Sequence, residues 1–492
     1  MSSLDRFRSR FGAEFAGQIV AVVSGAVLTV GLARLLGPDE YGLLFFAIAV
    51  FGTLGLAGKL GIAKSGARYV AEYKETDRSQ LPHVLRVSFL LGVVAASVVA
   101  TALFVGHREL AAVLGEPRLE PFLLLGVGYL VGEALTTYVR LILQGFERIE
   151  LSASLHALDR GLRLVFALGF VLLGFGAVGA LVGYVLSYAI AAGIGLAVLY
   201  RRFYRTEAAP SIEEGLVGRI ARYTVPLTAT GTANVLDKRI DTVLVGLVLS
   251  PVAVSYYVVS KQIVQFVKTP VTALGFTLSP TFGARKASGD VDRAARIYER
   301  ALVTSLWLYV PIGAGIVLTA GPAVSLVFGG DYRGAVPVLQ VLAAYVVLQS
   351  VTAITSNGLD YLGRAKSRAI VKGISAVGNV ALTVALLPVF GVVGAAIATV
   401  ITYSAYTAAN VYIAHQEFGL RGRYLAGRLS RIVAVAGAMA LVVGGVVGGV
   451  DGPVSLVLVV ALGGVVWAVL SLAAGLVTVD ELRSVVPRGG AS

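Results

Sequence analysis

Lys238, Arg239, Lys261 and Lys268, with Glu133, Asp237 and Asp241, stand inside apolar stretches long enough to cross a bilayer. A charge at mid-depth costs roughly 2.5–3.5 kcal/mol on insertion scales, so such residues are expected to line an internal, water-filled space. Cations outnumber carboxylates in this set. The space is therefore expected to attract an anion.

Spacing sorts these residues into stripes. In the stretch 218–249, Thr230, Asn234, Asp237 and Asp241 recur at intervals of three and four residues, which puts them on one helical face. Lys238 flanks that face, Arg239 points nearly opposite, and Pro226 removes a backbone donor near the start. In 252–279, Lys261, Gln265, Lys268 and Thr272 form a second stripe, whose two cations suit a phosphate or pyrophosphate. The plainer reading is that they neutralise Asp237 and Asp241 in a static network. In 119–143 and just beyond, Tyr129, Glu133, Thr136, Thr137, Arg140 and Gln144 repeat the design. Glu133 is either a carboxylate that binds a coupling ion, H+ or Na+, or the salt-bridge partner of a neighbouring cation. Asn234, Asp237 and Asp241 carry the same pair of readings.

The elements that hold these stripes follow from composition. The chain has 492 residues, 57% hydrophobic and 14% charged, with mean hydropathy +0.83, far more apolar than a soluble domain. Apolar runs of about 20 residues, the length that spans the hydrocarbon, occur at 12–36, 41–63, 84–105, 119–143, 155–174, 177–200, 218–249, 252–279, 301–320, 335–357, 369–388, 391–414, 429–450 and 453–478. The expected fold is an all-α polytopic membrane protein of about fourteen transmembrane helices.

Lysine and arginine counts orient it. With the N-terminus cytoplasmic, only Arg34, Arg108, Arg118 and Arg333 of the 41 basic residues fall outside, apart from the four cations within spans. The stretch 140–163, with Arg140, Arg148, Arg160 and Arg163, reads as an inner connection. Both termini are expected in the cytoplasm and the chain in the cytoplasmic membrane. The apolar segment after the basic N-terminus runs to Leu36, too long for a signal-peptide core, and reads as the first span.

An internal repeat divides the chain. LeuLeuGlyProAspGluTyrGly (35–42) matches ValLeuSerProValAlaValSer (248–255), and 176–188 matches 391–403 at nearly the same offset. The domains expected are a six-helix lobe 1–205, a cytoplasmic linker 206–217, a second six-helix lobe 218–415 and a terminal helix pair 428–478. Six spans per lobe make the lobes parallel repeats, an arrangement that places a substrate site between halves near the midplane.

Several function classes fall away. The net charge of +13 comes from short basic clusters between spans, with no aromatic platform for nucleic acid. Cysteine is absent, and His83, His107, His156 and His415 read as single residues in or near connections, so no metal site is expected. GlyPheGlyAlaValGly (174–179) has G-x-G-x-x-G spacing but follows no strand and reads as a tight turn. No nucleotide-binding or hydrolase motif occurs, so neither a cofactor nor catalytic residues are expected.

At LeuAlaArgLeuLeuGlyProAspGluTyrGly (32–42), at ArgIleAspThrValLeuValGly (239–246) followed by TyrTyrValValSer (256–260), and at a charged loop ending in ArgTyrValAlaGluTyrLys (68–74), the chain resembles oligosaccharide flippases of the polysaccharide-biosynthesis group. These belong to the multidrug/oligosaccharidyl-lipid/polysaccharide (MOP) exporter superfamily. The resemblance implies alternating access by two lobes and a polyprenyl-linked oligosaccharide as cargo, held by its phosphate or pyrophosphate while its tail stays in membrane lipid. It adds Arg34, which matches the arginine before the Gly-Pro motif, to Lys238, Arg239, Lys261, Gln265 and Lys268 as substrate-binding residues. Lys59 occupies the place of a basic residue on the second helix of the related lipid II flippases. In that group the last two helices form a groove for the lipid tail, a role that falls here on 429–450 and 453–478. A monomer is expected.

The alternative is a multidrug/cation antiporter of the same superfamily, which typically has twelve helices and an acid-dominated site. A membrane-embedded glycosyltransferase would need a large outer loop, and the longest outer connection, 106–118, is too short for one.

Overall fold

The computed structural model describes the backbone of residues 3–59, 61–204, 209–287 and 290–477; side chains are described for 23–56, 61–204, 209–228, 239–272, 275, 281–282 and 290–477. Among these the architecture is all-α, as hydropathy requires. The helices are α1 (Ser3–Lys59), α2 (Ile62–Thr76), α3 (Leu81–Val113), α4 (Glu120–Gly145), α5 (Ile149–Phe170), α6 (Gly176–Leu199), α7 (Leu216–Val248), α8 (Pro251–Ala287), α9 (Val291–Val327), α10 (Ala335–Tyr361), α11 (Ala365–Phe390), α12 (Val392–Phe418), α13 (Gly422–Val446) and α14 (Pro453–Ala473). Ten stretches among the described residues are long and apolar enough to cross a membrane, and one of them, Ile149–Tyr204, covers both α5 and α6.

The first two expected spans are the two arms of α1. Gly37, at φ 68°, breaks the helix where a side chain would be strained, and Pro38 follows. The rest of that motif fastens the break. Glu40 accepts from the backbone N–H of Ala177 at 2.9 Å, capping the start of α6, and Asp39 pairs with Arg118 at 2.6 Å.

One element differs from expectation. The charged stretch 62–76 is not a loop but helix α2, which buries Ile62, Ser65, Gly66, Tyr69, Val70 and Tyr73. Those positions recur at three and four residues and form one stripe, while lysines and glutamates occupy the other face. The stripe packs on α3, α4 and α7.

Two compact units emerge, Met1–Ser255 and Tyr256–Ser492. In the first, α1 packs on α3, α4, α5, α6 and α7, and α6 packs on α4 and α5. The approach is close: a Cβ on Gly42 would stand 1.8 Å from the Pro251 carbonyl oxygen, so the paired motifs at 35–42 and 248–255 touch. In the second unit α10 packs on α9 and α12, with a core that includes Phe282, Tyr298, Leu302, Ile354 and Phe418. The terminal pair, α13 and α14, docks on α9 through Ile432, Met439 and Trp467 against Trp307, whose indole N–H donates to Ser471 at 3.0 Å.

The segment before α7 is stapled to the α2–α3 turn. Ala209 N–H donates to Ser79 O at 2.9 Å, Gln80 donates to Ser211 O at 3.1 Å, and Glu213 N–H donates to the Gln80 side chain at 3.1 Å. The Glu213 carboxylate accepts from the Tyr73 hydroxyl and from Arg219. The Tyr73 hydrogen bond, then Arg219, holds the Glu213 carboxyl below its ordinary range. Burial, then Glu213, pushes the Tyr73 hydroxyl up to about 12. A depressed carboxylate stabilises above its unfolded-state pKa, near 4.3, and that contribution fades as the pH falls through the lower folded value. Acidification below about pH 4.3 should therefore release this segment. Limited proteolysis between residues 209 and 216 should be slow at pH 7 and faster at pH 3.5, and Glu213→Gln should be cut quickly already at pH 7; equal rates at both pH values would refute the staple.

Candidate functional site

The polar interior of the first unit is built on α4, α5, α6 and α7. Asp159 and Arg163, one turn apart on α5, are both buried, and Nη2 of Arg163 donates to the two carboxylate oxygens at 2.7 and 2.8 Å. Ser187 of α6 donates to Asp159 at 3.2 Å. The Arg163 guanidinium lies 4.8 Å from the Tyr184 ring centre and 4.4 Å from that of Tyr188, so it is held by charge on one side and by two π-faces on the others.

Tyr188 extends the cluster to α4. Its ring meets Tyr129 edge-on at 5.2 Å, and Tyr129 meets Phe51 of α1 at 5.1 Å. Gly132 permits this: a Cβ there would lie 2.7 Å from that of Tyr188, and small residues are what let membrane helices approach so closely. Glu133, the next residue, is within electrostatic reach of Tyr129 and Tyr188. Arg239 of α7 lies with its side chain against Gly52 of α1 and also acts on Tyr129 and Tyr184.

His156, Arg160 and Arg140 complete the group. His156 sits within α5, partly buried, with Arg140, Arg160, Asp159 and Arg163 all in electrostatic range. Its Nδ1 and the Nε atoms of Arg160 and Arg163 are buried without a hydrogen-bond partner among the described residues. Among the described side chains the group holds four arginines and two carboxylates, Glu133 and Asp159. The cluster is built largely from residues the charge count assigned to a connection. Arg160 and Arg163 belong to α5, and His156 is no loop residue. Their signal was available: His156, Asp159, Arg160 and Arg163 recur at three and four residues.

Of the residues expected on α7, Asp241 is buried and Arg239 partly buried, whereas the side chains of Thr230, Asn234, Asp237 and Lys238 lie outside the described residues. Arg34 is exposed on α1, and the Lys59 side chain is outside the described residues.

The second unit carries the α8 stripe. The Lys261 ammonium lies 5.0 Å from the Tyr257 ring centre, a cation–π distance, and the Tyr257 hydroxyl meets Thr399 of α12 at 3.2 Å. Nearby on α11 and α12, Thr402 donates to Asn379 at 3.3 Å. Gln265 and Thr272 are exposed, and Lys268 is half-buried. Around Lys268 the helix is opened: Pro270 follows, and the Tyr309 hydroxyl of α9 is inserted into the ladder, donating to Val267 O at 3.0 Å and accepting from Val271 N–H at 3.1 Å. An inserted hydroxyl beside a proline is a recognised cause of a bend. Lys268 therefore rides on a turn that is not held by helix hydrogen bonds alone.

No group of three or more histidine, cysteine, aspartate and glutamate side chains suited to a metal ion occurs among the described residues. Each unit offers charge, aromatic faces and hydroxyls.

Comparison with known proteins agrees with this fold. Residues 11–285 match the family model described as polysaccharide biosynthesis protein, and residues 226–385 match the MatE model. The probable low-salt glycan biosynthesis flippase Agl15 of Haloferax volcanii is 22% identical over 394 residues, 80% of each chain. The probable flippase AglR of the same organism is 26% identical over 403 residues, 79% of each chain. Among solved structures, the lipid II flippase MurJ in an inward closed conformation superposes with TM-score 0.74 at 13% identity, covering 94% of this chain and 98% of its own.

Proposed function

The chain belongs to the polysaccharide biosynthesis protein family, within the MOP exporter superfamily, and from that premise we propose that it flips a polyprenyl-linked oligosaccharide across the cytoplasmic membrane by alternating access. The cargo's phosphate or pyrophosphate is held by Lys238, Arg239, Lys261, Gln265, Lys268 and Arg34, and the glycan serves surface polysaccharide or glycoprotein assembly. Glu133, Asn234, Asp237 and Asp241 either bind the coupling ion, H+ or Na+, or hold the cations in place. The protein works as a monomer with both termini cytoplasmic, as two lobes, 1–205 and 218–415, joined by the linker 206–217 and followed by the helix pair 428–478. Its work is transport and not catalysis.

The observation that carries this reading is the sign of the charge in the first-unit cluster, whose members besides the buried Asp159 and Arg163 are partly buried. Arg140, Arg160, Arg163 and Arg239 outnumber Glu133 and Asp159 among the described side chains of the first-unit cluster, and Lys261 and Lys268 add two cations on α8. An interior of that sign repels a cationic drug and attracts a lipid phosphate. The glycan flippases of Haloferax volcanii support the same cargo class.

A drug or cation antiporter is the second reading, favoured by the MatE match over 226–385. Deleting the gene separates the two. Loss of a surface glycan with lipid-linked oligosaccharide accumulating on the inner leaflet is expected; unchanged glycans with new sensitivity to cationic drugs would establish the antiporter instead.

A further inference from the structure

A groove of about 380 Å³ opens on the side of the first unit between α3, α4 and α6. Its walls are Leu85, Phe89 and Leu90 of α3 and Leu196 and Leu199 of α6, with Tyr138 of α4 at its floor. Tyr138 is fixed there, its hydroxyl meeting Ser88 at 2.9 Å and donating to Leu85 O at 3.0 Å. The volume lies within the range of small-molecule sites, roughly 300–1,000 Å³. It is not a packing gap closed by the chain itself: Leu90 is 50% and Tyr200 52% exposed.

The chemistry changes along its length. The interior is apolar, whereas the rim carries Arg86 from the second turn of α3 and the stacked pair Tyr200 and Tyr204, 5.7 Å apart, just after α6. Among the described residues Arg86 makes no hydrogen bond and no ion pair, and no acidic residue lines the groove. The exposed Arg201 and Arg202 stand beside Tyr200 in the chain. Tyrosines and arginines at the end of a span mark the depth of lipid head groups.

We infer that this groove binds an anionic glycerophospholipid of the surrounding leaflet, one hydrocarbon chain lying along Leu85, Phe89 and Leu196 and the phosphodiester resting on Arg86. Charge selects the occupant. The single arginine that lines the groove matches the single negative charge of a phosphodiester, and the Tyr204 hydroxyl at the rim supplies a donor to its ester and glycerol oxygens. A polyprenyl pyrophosphate carries more charge than one arginine answers. The site is distinct from the polar interior, since Arg86 and Tyr200 face outward while Arg163 is buried. Its occupant lies between α3 and α6, so occupancy is felt by the helix that carries Tyr184 and Tyr188.

The full chain in vesicles of phosphatidylcholine and phosphatidylglycerol, 4:1, with a trace of phosphatidylglycerol bearing a photoactivatable chain, tests this. Labelling should concentrate on peptides containing residues 85–90 and 196–204, fall about tenfold there in Arg86→Gln, and stay unchanged on α13 and α14. Photoactivatable phosphatidylcholine should label those peptides about tenfold less than the phosphatidylglycerol probe. Filling the groove with Leu196→Trp, or with the exposed Leu90→Trp should the first fail to fold, should remove the labelling. Unchanged labelling in Arg86→Gln would overturn the assignment. Displacement by millimolar inorganic phosphate, or by an equimolar polyprenyl phosphate, would overturn it too, identifying a free anion or the cargo's own tail as the occupant.

Discussion

Replacing Arg163 by alanine is expected to cost about 3–5 kcal/mol of stability, the penalty for leaving a buried charge without its partner. Both members of the pair are almost fully enclosed, each side chain 5% exposed, so solvent screening does not relieve Asp159 once the guanidinium is gone. The two-alanine variant Asp159→Ala with Arg163→Ala should cost less than Arg163→Ala alone, because it removes the stranded charge and leaves a cavity. Lysine at 163 keeps the charge but not the stacking of a guanidinium on Tyr184 and Tyr188, and should fall between. Thermal unfolding in detergent reads all three. An Arg163→Ala protein as stable as the parent would mean that the pair does not hold α5 to α6.

Removing Lys261 and Lys268 together should abolish glycan export while the protein still reaches the membrane. Each charge-assisted contact to a phosphate contributes about 1.5–3 kcal/mol, so losing two lowers head-group affinity on the order of 10²–10⁴-fold. Gln265→Ala, which removes a neutral donor, should lower export only a few-fold, by roughly 1 kcal/mol. Arginine at both positions keeps the charge and should restore part of the export. Surface glycan measured in a strain lacking the native gene, with membrane levels of each variant verified, makes the comparison. Normal export by the double alanine variant would remove both lysines from the binding set.

How far the sequence reveals this molecule depends on whether a segment obeys the membrane's rule alone. Spans such as α10, α12 and α14 must be long and apolar, and hydropathy finds them within a few residues. The break at Gly37 and Pro38 was visible for the same reason, two apolar runs separated by a turn motif. Helix α2 obeys a different rule: its 15 residues are charged on one face and buried on the other, so a window that averages hydropathy reads it as a loop. Only the spacing of Ile62, Tyr69 and Tyr73 betrays it.

The polar interior divides in the same way. Glu133 and Arg239 were found because they interrupt apolar runs, and the structure sets them beside Tyr129. Asp159 and Arg163 were hidden by their neighbours, since four arginines between 140 and 163 look like the basic connection that fixes orientation. The helical stripe that revealed the α8 lysines is equally present in His156, Asp159, Arg160 and Arg163. Counting charge by segment outweighed counting it by face. The aromatic cage around Arg163 was not legible, because Tyr184 and Tyr188 come from another helix and only tertiary packing brings them to it.

The most direct measurement is translocation by the purified protein in vesicles, comparing a fluorescent polyprenyl-pyrophosphate oligosaccharide with the same glycan on an uncharged polyprenyl ether. Flipping of the phosphorylated lipid, lost in the Lys261→Ala, Lys268→Ala protein, with at least tenfold slower movement of the ether, is the expected result. Equal rates for the two lipids would contradict it, since a carrier that ignores the phosphate has no use for a cationic interior.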